Sequence, residues 1–156
     1  MFQKKDMKVC VSGTFNVLHK GHKKLIDKAF EYAGKTGTVY IGVTDEKMLK
    51  KKKFKKPFNQ RVKAIKDYLS GKKYNKHFFI KKINDKYGPA LYGEYDAIIV
   101  SSETIINAQD LNKKRIKMGK KPLKIVEIPY VLAKDKIPIS STRILNNEID
   151  ENGRVL

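Results

Sequence analysis

A chain of 156 residues with 40% hydrophobic and 10% aromatic side chains carries enough apolar surface for its own core, which excludes a disordered segment or a disulfide-stapled miniature. One cysteine, Cys10, excludes an intramolecular disulfide and a thiolate zinc site, and no apolar run nears the ~20 residues of a membrane helix. The formal charge of +19 excludes less: it attracts anions of every kind, from nucleotides to RNA.

Residues 7–12 (MKVCVS) predict a buried strand, and the polar start before it, with no signal peptide, predicts a cytoplasmic protein. Residues 20–33 predict a helix, because Leu25, Ile26, Ala29, Phe30 and Ala33 recur at helical spacing before Gly34 to Gly37 end it. A second strand is expected at 38–43, followed by a lysine-rich polar connection at 50–56. Pro57 then opens a helix carrying Val62, Ile65, Tyr68 and Leu69. Strands at 78–83, 96–100 and 124–128, a helix at 103–118 and a short helix near 140–147 complete the pattern. Alternating strands and helices predict an α/β fold: a doubly wound parallel five-stranded sheet, helices on both faces, in one domain over 1–156. Ligands of such sheets bind beyond the carboxyl ends of the strands. The loops after residues 12, 43, 100 and 128 are therefore the candidates.

The first of these loops holds Gly13, Thr14, Phe15 and Asn16, then His19, Gly21 and His22 at the start of a helix. Gly13 allows a sharp exit from the strand. Gly21 would leave the helix N-terminus uncovered, and its unpaired N–H groups form a ready phosphate site. His19 and His22, three residues apart, point to one side, where imidazoles can donate to phosphoryl oxygens. A pair of exposed turn histidines is the bland alternative; their place at the mouth of the first strand favours phosphate binding. Near the other end, Ser140, Ser141, Thr142 and Arg143 precede the last helix. This is an ordinary N-cap by composition, but also a cradle for a polyphosphate. Arginine is scarce, four residues (Arg61, Arg115, Arg143, Arg154) against 31 lysines. The planar fork of Arg is something Lys cannot copy, so each Arg is a candidate for a bidentate role. Lysines scattered along the helices read as a solvated face; a basic RNA-binding domain is the rival that charge alone suggests. Cys10 lies mid-strand, and no side chain reads as a covalent nucleophile.

The first loop resembles the nucleotidyltransferase superfamily marked by His-x-Gly-His, or Thr-x-Gly-His, after the first strand. Ile139 to Thr142 resembles the Ile-Ser-Ser-Thr signature that accompanies it. The resemblance implies a Rossmann-like domain in which a substrate phosphate attacks a nucleotide α-phosphate and pyrophosphate leaves. It implies nucleotide binding by Gly13, Thr14, Phe15, His19, Gly21 and His22, with His22 stabilising the transition state and His19 and Thr14 holding phosphates. Ser140, Ser141, Thr142 and Arg143 would grip the β- and γ-phosphates, and Lys52, with Lys50 second, would reach the phosphates of both substrates. Asn16 departs from the pattern, since many members carry Asp there. Pro57 to Arg61 resembles the family's aromatic-then-Arg sequence, with structural and functional roles for Arg61 both open. Ser101 to Thr104, Asn112, Arg115, Gly119 and Pro122-Leu123, together with Glu148 to Asp150, are similar to the archaeal and eukaryotic type of phosphopantetheine adenylyltransferase, and Arg115 joins Thr14, Lys50 and Lys52 as a substrate-phosphate candidate. That type implies ATP and 4′-phosphopantetheine as small-molecule substrates and Mg²⁺ carried on the triphosphate, with no metal ligand from protein side chains. It requires neither membrane nor nucleic acid; the oligomeric state stays open, with a monomer favoured. An FAD synthetase-type enzyme acting on FMN is the alternative within the superfamily. The cytidylyltransferase and nicotinamide mononucleotide types differ around Ser140 to Arg143.

Overall fold

A computed structural model describes residues 6–49, 56–72, 74 and 77–156. The elements run β1 (Lys8–Gly13), α1 (Lys20–Ala33), β2 (Thr38–Thr44), α2 (Phe58–Ser70), β3 (Phe78–Ile83), β4 (Ala97–Ser101), α3 (Ile105–Lys117), β5 (Lys124–Ile128) and α4 (Ser141–Leu145), with 3₁₀ turns at Glu46–Leu49 and Gly88–Leu91. All five strands are parallel, in the order β3-β2-β1-β4-β5. This is the expected doubly wound sheet.

Strand alternation divides the core in two, because successive side chains of a strand point to opposite faces. Val9, Val11, Val39, Ile41, Val43, Ala97 and Ile99 pack against Leu25, Ile26, Ala29 and Phe30 of α1 and Ile65 and Leu69 of α2. Cys10, Ile98 and Val100 point the other way, onto Ala108 and Leu111 of α3. Each fully buried Val, Leu or Ile contributes ~1.5–3 kcal/mol of burial free energy, so the two layers hold the sheet between its helices. Burial pushes the Cys10 thiol up to about 12, which keeps it protonated and inert.

The chain winds outward from β1 to β3, then returns to β4 on the other side of β1. The reversal lies between β1 and β4, and the ends of β1, β2, β4 and β5 open into one region above it. Boundaries differ from expectation in places with local causes. Helix α3 starts at Ile105 rather than near 103, because Thr104 Oγ1 accepts the Ser101 N–H at 3.2 Å and closes a turn first. Helix α4 stops at Leu145, since Asn147 takes φ 59° and the left-handed conformation cannot continue a helix. The tail after β5, expected to be a loop and one helix, also forms two antiparallel bridges, Leu132 with Pro138 and Ile149 with Val155. These enclose a small core of Ala133, Ile139 and Ile149. The Glu151 carbonyl accepts from Lys20 N–H at 3.2 Å, tying the tail to the start of α1.

Candidate active site

Above the switch point lies a cleft of about 490 Å³. Gly13, Thr14, Phe15, His19, Gly21 and His22 form one wall with Thr44, and Ser140, Ser141 and Thr142 form another. Two segments separated by more than a hundred residues meet at one atom. The Val17 carbonyl accepts from His22 Nδ1 at 2.9 Å and from Ser141 Oγ at 3.4 Å, and Ser141 Oγ in turn accepts the Val17 N–H at 3.3 Å. The imidazoles and the hydroxyl cluster are therefore clamped to each other.

The two histidines have different protonation chemistry, which follows from their hydrogen bonds. His19 is the N-cap of α1: its Nδ1 accepts from Gly21 N–H at 3.0 Å and from His22 N–H at 3.3 Å. An accepting Nδ1 has no proton, so the ring is neutral with its hydrogen on Nε2. Burial, and then the charge of Lys23, lower its pKa from 6.5 to about 4. His22 is the reverse. A carbonyl can only accept, so His22 Nδ1 carries a proton, and a contact from Nε2 to an anion requires the imidazolium. The rings stack at 3.7 Å between centroids. Phe15 meets the His22 ring edge-on at 5.1 Å.

This corrects the expected use of the helix N-terminus. The N–H groups of Lys20, Gly21, His22 and Lys23 go to the Glu151 carbonyl, His19 Nδ1 twice, and the His19 carbonyl, so they are not offered to phosphate. Nor is Gly21 there to leave the helix end bare. A Cβ on it would stand 2.9 Å from His19 Cε1, so Gly21 makes room for the capping ring. A Cβ on Gly13 would likewise press the Phe15 ring at 3.3 Å, and Phe15 itself holds φ 52°, a strained conformation for a bulky residue. Threonine is also a good N-cap, which explains why Thr-x-Gly-His can stand in for His-x-Gly-His.

A stability test follows. With a folded pKa below the unfolded one, His19 refuses a proton that the unfolded chain accepts, so stability is full above pH 6.5 and falls as pH drops toward 4. The loss amounts to about 3 kcal/mol. Urea unfolding of His19→Thr is expected to lose about 2 kcal/mol less than the wild type between pH 7 and pH 4.5. Equal losses in the two proteins would contradict the capping geometry.

Asn16 is buried, and its Oδ1 accepts the Lys56 N–H at 2.7 Å. An amide oxygen serves here as well as a carboxylate, without burying a charge, so the change from Asp keeps the tie to the lysine-rich connection. Lys50 and Lys52 lie outside the described residues.

Arg115 and Arg143 are not brought to the cleft. Arg115 is buried and donates to the carbonyls of Lys121 (2.8 Å), Ala90 (2.8 Å), Gly93 (2.8 Å) and Leu91 (3.4 Å), holding α3 to the Gly88–Leu91 turn. Nearby, Asn112 exchanges two 2.8 Å bonds with the backbone of Leu123. The Asn-x-x-Arg and Pro-Leu pattern is thus a device of the fold. Arg143 turns back to Asp135, to Glu148 Oε1 at 3.4 Å and to the Ile137 and Pro138 carbonyls at 3.3 Å, and its guanidinium holds the Asp135 carboxyl below the usual range. Ser140 is a cap, accepting the Arg143 N–H at 3.2 Å. Arg61, left open by sequence, is 1% exposed; it donates to the carbonyls of Thr14 and Lys56, both at 2.9 Å. Sequence reasoning did not single out Thr44, Asn107 or Tyr130, which also line the cleft; nothing in their local pattern marks them.

A model of the cytidylyltransferase-like family matches residues 10–147. The phosphopantetheine adenylyltransferase of Methanosarcina mazei is 46% identical over 151 residues, spanning 95% of this chain and 96% of the relative. That of Archaeoglobus fulgidus is 40% identical over 151 residues, covering 96% of this chain and 100% of the relative. Among solved structures, pantoate-beta-alanine ligase from Francisella tularensis has a TM-score of 0.55 at 13% identity, covering 94% of this chain and 67% of its own, a likeness of fold alone.

Proposed function

Because the chain belongs to the phosphopantetheine adenylyltransferases of the cytidylyltransferase-like family, we propose that its cleft carries out the reaction their name states. ATP and 4′-phosphopantetheine give dephospho-coenzyme A and pyrophosphate, a step of coenzyme A biosynthesis. An oxygen of the acceptor phosphate attacks the α-phosphorus of ATP; that P–O bond forms as the bond to pyrophosphate breaks. No covalent enzyme intermediate is needed, so the protein aligns two anions and offsets charge that develops between them.

The observation that carries this reading is the shared Val17 carbonyl, which fixes His22 and Ser141 on one cleft. The triphosphate lies from the imidazoles to the hydroxyls of Ser141 and Thr142. His22, as imidazolium, donates to the oxygen where charge grows, and neutral His19 donates through Nε2–H. Gly13 and Phe15 shape the loop, and Lys52 or Lys50 supplies further positive charge. Mg²⁺ fits as a passenger on the triphosphate, beside the hydroxyls and imidazoles that line the cleft. Bound there, it would neutralise phosphate charge. No described helix is long and apolar enough to cross a membrane, and an enzyme of coenzyme A biosynthesis is placed in the cytoplasm.

Pyrophosphate release should be measured from ATP or CTP with 4′-phosphopantetheine, FMN and nicotinamide mononucleotide as acceptors. Turnover is expected with ATP and 4′-phosphopantetheine. Release with FMN instead would transfer the reading to an FAD synthetase, and none at all, beside salt-sensitive RNA binding, would sink it.

A further inference from the structure

Beside the histidines, two threonines of the cleft and an arginine behind them form a chain of polar groups, and Thr44 among them belongs to no motif. Thr14 follows β1 and Thr44 ends β2, and the pairing of Gly13 with Val43 sets these threonines side by side. Thr44 Oγ1 donates to Thr14 Oγ1 at 3.3 Å. Behind them, Arg61 Nη1 donates to the Thr14 carbonyl at 2.9 Å and to Thr44 Oγ1 at 3.5 Å. Arg61 enters no ion pair among the described residues, and its buried Nη2 has no hydrogen-bond partner there. The guanidinium is therefore a buried cation answered mainly by oxygen dipoles.

We propose that Thr44, backed by Arg61, is a positioning residue that turns the Thr14 hydroxyl toward the acceptor phosphate. A hydroxyl rotates freely and has no direction of its own. A guanidinium can only donate, so the Thr44 oxygen takes a hydrogen from Arg61, and its own hydrogen goes to Thr14. With its oxygen occupied as acceptor, Thr14 has its hydrogen left for the cleft, which both threonines line. Glu46 and Asp45 also act on Arg61 through space, and its charge polarises the chain in the direction that makes Thr14 a better donor. The same Nη1 holds the Thr14 carbonyl, so main chain and side chain are set together. The proposal rests on the adenylyltransferase reading, because it assumes a phosphate in front of Thr14.

Steady-state kinetics with ATP and 4′-phosphopantetheine test it. Thr44→Val is expected to lower kcat about tenfold with KM for ATP within about twofold, and Thr44→Ser to recover to within about threefold of the wild type. Thr14→Val/Thr44→Val is expected to be no slower than Thr14→Val, within about twofold, because the two hydroxyls act as one unit. Three results would overturn the proposal: wild-type kcat in Thr44→Val, equal losses in the Val and Ser variants, or multiplicative losses in the double variant. If Thr44→Val loses the native urea midpoint, Thr44→Ala provides the same comparison. A wild-type protein without turnover would sink the adenylyltransferase reading alone. The relay would then be judged by calorimetric titration with inorganic pyrophosphate, expected about fivefold weaker in Thr44→Val; equal affinity would overturn it.

Discussion

His22→Ala is expected to lower kcat for pyrophosphate release by about 10²–10³-fold, the effect of deleting one preorganised donor to a developing oxyanion. The size of the effect comes from how firmly the ring is held. Its Nδ1 is tied to the Val17 carbonyl at 2.9 Å, one face stacks on His19, and Phe15 closes on its edge, so little reorganisation remains for the reaction to drive. The ring also stands at the positive end of α1, where the helix amides themselves are already paired. Since Nδ1 already carries a hydrogen, donation from Nε2 needs a second proton on the ring. His22 is not part of the buried hydrophobic layers, so the variant should keep the wild-type unfolding free energy to within about 1 kcal/mol. A folded His22→Ala protein with full turnover would remove the imidazole from the mechanism.

The sheet was legible in the sequence because a parallel strand buried on both faces must read as a short apolar run. MKVCVS, TVYIGV and DAIIV have no other use in a chain so rich in lysine. The helix α1 was equally plain, since its five apolar residues at helical spacing are the five the fold buries. What sequence could not supply was the direction of side chains around a turn. His-x-Gly-His announces two imidazoles, but that one caps the helix through a 3.0 Å contact to Gly21 N–H while the other bonds the Val17 carbonyl is settled only by the fold. The arginines make the same point. Their scarcity rightly marks them for multidentate bonding, yet Arg61, Arg115 and Arg143 direct their forks at carbonyls and carboxylates of the chain. Phosphate and clustered carbonyls ask the same geometry of a guanidinium, and only the fold tells them apart. The tail after β5 was opaque for another reason: two single bridges and a core of three residues leave no periodicity to read.

Arg115→Ala is expected to lose stability where a phosphate ligand would lose activity. Removing the guanidinium strips hydrogen-bond partners from the carbonyls of Ala90, Gly93 and Lys121, which lie around a residue only 3% exposed. Leaving several buried acceptors unpaired costs about 3–5 kcal/mol, or a fall in Tm of about 10 °C for a chain of this size. Arg115→Lys should regain only part of this, because one ammonium cannot reach Lys121 on one side and Ala90 and Gly93 on the other. Below the midpoint, kcat and KM for 4′-phosphopantetheine should stay within about twofold of the wild type, since the cleft walls do not include Arg115. A KM raised tenfold at unchanged Tm would mean that the guanidinium reaches the acceptor phosphate after all. The clamp of α3 on the Gly88–Leu91 turn would then contribute nothing to stability. The two measurements thus separate an arginine that builds the fold from one that binds substrate, a distinction that residue type alone does not make.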